Sequence, residues 1–205
     1  MLKNIFYAIL LGVGMAACLS QNDRSGEDET ATSSTEEVLT DTPEEPASPS
    51  AEQLQIVPGR VSFVSIGDNI EQMRQNIPAG FTIADTVLQQ EGMQSTAYLI
   101  KPEQLTKGFW VEQQCSPTCT VWRLKVTSDS FVTPKGIRVG ANYSQAQEAH
   151  PVSTVTLADG GLVAVAKEGG LTFVLDTGNI PQNQLHRLTP ETVPADTRVK
   201  AILVY

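Results

Sequence analysis

A thirteen-residue pattern occurs twice in this chain and limits its fold more than any other feature. Residues 66–78 (IGDNIEQMRQNIP) align without gaps on residues 139–151 (VGANYSQAQEAHP), offset by 73 positions. The shared positions each have a physical role. Gly67 and Gly140 let the chain turn sharply out of a preceding strand. Asn69 and Asn142 suit helix N-caps, and Gln72 and Gln145, three residues on, suit the reciprocal half of a capping box. Pro78 and Pro151 stop a short helix. Between cap and stop, Ile70, Met73 and Ile77, then Tyr143 and Ala146, fall on one helical face. The pattern therefore predicts a duplicated unit of strand, short helix and several antiparallel strands, spanning about residues 60–130 and 134–205.

The remaining apolar residues have the period of strands. Val61–Phe63, Phe81–Ile83, Tyr98 with Ile100, Trp110–Val111, Val121–Val126, Val163–Val165, Phe173–Leu175 and Ile202–Val204 are separated by turn signals at Glu91-Gly92, Asp159-Gly160-Gly161 and Glu168-Gly169-Gly170. Short strands joined by tight turns give an α+β fold: a predominantly antiparallel sheet with two short helices. Residues 58–205 are enough for one proper core.

The N-terminal quarter has a different character. Lys3 precedes an apolar run from Ile5 to Ala17, too short for the ~20 residues of a spanning helix and shaped like a secretory leader over residues 1–17. The run ends in Met15-Ala16-Ala17-Cys18, which resembles the bacterial lipobox. That resemblance makes Cys18 the first mature residue and the lipid attachment site, with palmitate among its acyl chains. Each buried methylene would contribute about 0.8 kcal/mol to anchoring. Leu19 in place of Asp after the cysteine implies the outer membrane, facing the periplasm, if the cell is Gram-negative. Residues 18–57 follow with ten acids and one base, Arg24, and almost no branched or aromatic content. Such a tract cannot bury enough surface to offset its ordering entropy, so a disordered acidic linker is expected. An acidic recognition tail is the alternative to a plain spacer. From Pro58 onward, 13 acids meet 12 bases, so the net charge of −9 belongs to the linker and not to the domain. Neither segment offers the clustered basic face that nucleic acid needs.

No catalytic constellation emerges. Cys115 and Cys119 flank Ser-Pro-Thr between two strand patterns, which is the wrong spacing for a thioredoxin-like site. With no further ligands nearby they do not make a zinc site. In an exported chain they are expected to form a disulfide across a hairpin, and so small a loop contributes about 2 kcal/mol by chain entropy. His150 takes the position of Ile77 in the repeat and reads as packed, while His186 has no partner pattern. There is no nucleophile elbow, P-loop, zincin motif or dinucleotide fingerprint. No cofactor, metal or catalytic residue is assigned. Trp110, Trp122, Tyr98 and Phe173 read as core first and as a binding groove second.

With Cys18 and the two units in view, the chain resembles the sigma-E-regulated outer-membrane lipoproteins of unknown function. The likeness rests on Gly59-Arg-Val-Ser-Phe63 opening the first unit, the segment Gly136–Gln145 in the second, the strand Gly170–Leu175 and the closing strand Val199–Tyr205. That resemblance brings no agreed catalytic residues. The expectation is a lipid-anchored envelope protein with a non-catalytic accessory or protein-binding role. The alternatives are a carrier of an apolar molecule lined by Phe81, Trp110 or Phe173, and a hydrolase built on His150 or His186.

Overall fold

The computed structural model describes residues 48–90, 93–158 and 161–205. The leader, Cys18, residues 19–47 of the acidic linker and the turn residues Glu91-Gly92 and Asp159-Gly160 lie outside the described residues, whereas residues 48–57 of that linker are described and include a 3-10 turn, Glu52–Leu54. Three two-residue strands come first: β1 (Ile56–Val57), β2 (Arg60–Val61) and β3 (Val64–Ser65), paired antiparallel in that order. Helix α1 (Ile70–Gln75) is followed by β4 (Phe81–Gln90), β5 (Met93–Pro102), β6 (Phe109–Cys115) and β7 (Cys119–Val126). Helix α2 (Tyr143–Ala149) is likewise followed by β8 (Val152–Ala158), β9 (Gly161–Ala166), β10 (Leu171–Leu175) and β11 (Val199–Val204). Each helix thus leads a four-stranded antiparallel meander. The meanders join through their last strands into one eight-stranded sheet of order β4-β5-β6-β7-β11-β10-β9-β8.

The repeat recurs in the hydrogen bonds. Gly67 and Gly140 have φ of +90° and +88°, a left-handed turn that a side chain resists. Past that turn, the Gly67 N–H donates to the Val121 carbonyl (2.7 Å) and the Val121 N–H donates back to Asp68 (2.9 Å). In the second unit Gly140 donates to Val199 (2.8 Å) and Val199 donates back to Ala141 (2.9 Å). Asn69 then bridges Thr120, and Asn142 bridges Arg198. Each segment leading into a helix is therefore clipped onto the last strand of its own meander. These asparagines cap both helices. Asn69 Oδ1 accepts the Gln72 N–H at 3.1 Å, whereas the Asn142 N–H donates to Gln145 Oε1 at 3.0 Å. The segment ahead of α2 forms a lone bridge, Val132 with Gln55, where the first unit has short strands.

Alternation along the strands sorts the sheet into two faces. One row runs Ile100, Phe109, Val126, Ile202, Phe173, Ala164 across the registered pairs. This face packs against Ile70 and Met73 of α1, Tyr143 and Ala146 of α2, and Ile56, Val61 and Val64 of the small sheet, forming one continuous core. Edge-on ring contacts Phe63–Phe81 (5.2 Å) and Phe63–Phe109 (6.4 Å) tie the small sheet to the large one, and Phe109–Phe131 (5.4 Å) ties in the segment between β7 and α2. The Tyr143 hydroxyl, pushed up to about 12 by burial and then by the Glu191 charge, stays protonated and donates to the Pro190 carbonyl at 2.8 Å.

Gly108, just before β6, passes directly over β5. A Cβ there would strike the Ile100 carbonyl oxygen and stand 2.7 Å from Lys101 Cα. Gly108→Ala is therefore expected to lose about 1–3 kcal/mol by displacing the β5–β6 backbone. Gly161→Ala, whose new methyl would meet Val174 Cγ1 at an ordinary 3.6 Å, should stay within about 0.5 kcal/mol. Urea unfolding of the pair separates the two cases.

Candidate binding surface

The described helices and the small sheet lie on one face of the large sheet, and the residues with a possible binding role collect on the other. Its central row is Leu99, Trp110, Lys125, Leu203, Thr172 and Val165. Buried Ala97, Val163, Ala201 and Leu203 belong to this face and stand outside the continuous core. Within it lies an ion pair, Arg123 Nη2 to Glu112 Oε2 at 2.7 Å, with both side chains about 95% buried. The pair owes its alignment to a bulge. Cys115 pairs with Cys119 and Gln113 with Val121, but the register shifts there, so Glu112 meets Arg123 and Trp122 is the extra residue. The displaced Trp122 ring stacks on the Arg123 guanidinium, 4.8 Å from carbon to centroid, and edge-on against Tyr205 at 6.3 Å. Trp122 and Tyr205 keep 37% and 40% of their surface exposed. The arginine is thus held by a buried carboxylate and flanked by two half-exposed aromatic rings.

The other sequence-singled residues fall elsewhere. Cys115 and Cys119 form a disulfide closing the β6–β7 hairpin. Gly67, Asn69, Gly140 and Asn142 occupy the two helix lead-ins described above, and Gln72 and Gln145 lie in the first turns of α1 and α2. Phe81 and Phe173 are core residues on the helix face, so they cannot line one cavity with Trp110 on the opposite face. Tyr98 is also on the helix side, where its hydroxyl donates to Gln113 Oε1 at 2.9 Å beneath Arg74. Sequence reasoning missed Glu112, Arg123 and Tyr205. Their only signal was a consecutive Trp-Arg that interrupts the alternation of β7.

His150 is the C-cap of α2 and is buried against Phe173. Its Nε2 lies 3.2 Å from Thr133 Oγ1, which also accepts the Ile137 N–H (3.1 Å). Its Nδ1 faces Glu168 Oε2 at 3.6 Å, longer than a hydrogen bond, and Glu168 pairs with Lys135 at 2.8 Å. Hydroxyl, imidazole and carboxylate thus stand in line, but Thr133 is 2% exposed and no attacked group could reach it. The arrangement clamps the loop before α2 to the β9–β10 turn. Burial, and then the Lys135 charge, lower the His150 pKa against the opposing pull of Glu168, so the ring is neutral at pH 7. Lys135, by hydrogen bond and charge, holds the Glu168 carboxyl below its ordinary range. His186 lies in a 3-10 turn, Leu185–Arg187. Among the described residues, no three His, Cys, Asp or Glu side chains converge to hold a metal, and no helix is long and apolar enough to cross a membrane.

No protein-family model matches the chain, and no curated protein matches it. Among solved structures it is similar to the crystal structure of the uncharacterized protein yfeY from Escherichia coli, at 12% identity and a TM-score of 0.45. That similarity spans 60% of this chain and 80% of the other.

Two outcomes follow from the geometry. Glu112→Ala leaves the Arg123 charge in a buried setting and should lower unfolding free energy by about 3 kcal/mol, read by urea denaturation. The lowered His150 pKa means that the unfolded chain takes up that proton first. Stability from neutral His150 is complete above its ordinary value near 6.5 and is lost as pH falls toward the folded value. An NMR titration of His150 should show a midpoint below 6.5, falling further in Glu168→Gln, while His150→Gln should remove this part of the pH slope.

Proposed function

We propose that this chain is a lipid-anchored cell-envelope protein of the sigma-E-regulated outer-membrane lipoprotein type, with a non-catalytic protein-binding role. In this reading Cys18 carries the lipid, the acidic linker holds the domain off the membrane, and the face of the sheet opposite α1 and α2 meets an envelope protein. The observation that carries the binding role is the Trp122–Arg123–Tyr205 stack fixed by buried Glu112. Trp, Tyr and Arg dominate binding hot spots because they present large rigid contact areas at small entropic cost. Holding the arginine in place before contact removes part of the ordering cost of association. The helix side offers less, since its large apolar residues are already packed within the domain.

The test is photo-crosslinking in cells. A photo-reactive residue replacing Trp122 is expected to give one discrete adduct, absent when the probe replaces Glu148 on α2 and absent again in Cys18→Ala. Adducts from both positions alike, or none from position 122, would rule out docking through this face.

A further inference from the structure

Among the described strands, the eight-stranded sheet ends in two edges of opposite character, β4 and β8. Strand β4 carries Asp85, paired with Arg74 at 3.1 Å, and a charge on an edge strand deters further pairing. Strand β8 has no such guard along Val152–Ala158, since VSTVTLA holds neither a charged residue nor a proline. Past an irregularity at Ser153, Thr154–Ala158 run in regular register with β9. Val155 and Leu157 stand opposite Ala164 and Leu162, so both lie on the core side of the sheet. The 3-10 turn Leu185–Arg187 packs against the strand and Val155 is half-buried, but Leu157 keeps 50% of its surface exposed. Thr154, Thr156 and Ala158 are exposed as well.

We infer that β8 is a self-association edge: β8 of a second copy pairs antiparallel with it, joining two sheets across a two-fold axis at Thr156. The register follows from what has to be covered. With Thr156 opposite Thr156, each Leu157 meets the other copy's Val155 on the core side, and each Thr154 meets Ala158 on the outer side. Centring the pair on Val155 instead would set Leu157 against Ser153, at the irregularity. The strand thus supplies both halves of its own match, Leu157 and Val155, which is what an isologous contact requires. Val and Thr favour cross-strand pairing, and a strand without charge meets its copy with none of the like-charge repulsion that destabilises opposed residues. The fold already uses this construction. Strands β7 and β11 join the two meanders through three registered pairs, and Thr154–Ala158 would provide five. The contact is nevertheless smaller than the ~800 Å² per partner of a standard interface, so a Kd on the order of 10⁻⁴ M is expected. This inference does not rest on the docking proposal, because β8 lies three strands from β11 and shares no residue with the Trp122–Arg123–Tyr205 stack.

The experiment is disulfide trapping of the full chain in cells, with the joined peptides mapped by mass spectrometry. Directly opposite residues of an antiparallel pair have Cα atoms about 4.5–5.5 Å apart, within reach of a disulfide. Two copies of Thr156→Cys should therefore join at about five times the yield of two copies of Thr154→Cys. Val155→Cys and Leu157→Cys, produced together, should join to each other in preference to themselves. Sedimentation of the purified full chain at about 0.2 mM should show a dimer that Leu157→Lys converts to monomer. Because Leu157 is half exposed, that variant should keep the unfolding midpoint of the unsubstituted chain. Equal trapping at all four positions, trapping only to a different protein, or a monomeric unsubstituted chain at that concentration would each overturn the inference.

Discussion

The antiparallel pairing of β7 with β11 is the joint on which the rest of the structure depends. It is short, with three registered pairs: Val126 with Ile202, Lys125 with Leu203 and Leu124 with Val204. A four-stranded meander standing alone has two open edges and one apolar face to cover. Joining two meanders edge to edge removes two of those four edges and doubles the area over which the core can form. The same two strands also receive the helix lead-ins, through Gly67 on Val121 and Gly140 on Val199. Each helix is thus positioned by the strand that makes the joint, so a break between β7 and β11 would loosen the sheet and the helix layer together.

What was legible in the sequence was whatever depends on backbone punctuation. Glycine at a positive φ, asparagine before a helix and proline after it have few alternative uses, so four shared residues were enough to place both helices and to expose the duplication. Strands with one face on the core were legible through their alternation. Strand β8 was not, because it is an edge: from Ser153 to Ala158 only Val155 is even half-buried. Its VSTVTLA segment records strand propensity without any inward-outward rhythm. A sequence pattern reports burial, and an edge strand has little burial to report.

The Trp122–Arg123–Tyr205 stack was illegible for a different reason. Counting outward from the Cys115–Cys119 pair with no irregularity places Trp122 opposite Glu112 and separates Glu112 from Arg123. The bulge moves Arg123 into register with the carboxylate and turns the tryptophan aside. One inserted residue therefore converts an unremarkable pairing into a buried ion pair with aromatic cover. A second bulge, between β10 and β11, likewise leaves Lys200 without a partner in the ladder. Both depend on where the ladder slips, which is decided by packing across four strands and not by the local sequence of any one.

The two faces of the sheet have consequently diverged to different degrees. On the helix face the halves carry equivalent parts: Ile70 and Met73 answer Tyr143 and Ala146, apolar for apolar, because both must seal the same kind of layer. On the opposite face the equivalence fails. The first half presents Leu99, Trp110, Glu112, Arg123 and Lys125, while the second presents Thr154, Thr156, Val163, Val165 and Thr172. A duplicated fold needs its internal face twice, since each helix must be buried, but nothing in folding requires the external face to repeat. The helix face differs mainly in the small sheet ahead of α1, which the second unit replaces with the lone Gln55–Val132 bridge. The ion pair buried on the external face is not what stability alone would select, because an apolar pair of similar volume would serve stability at least as well.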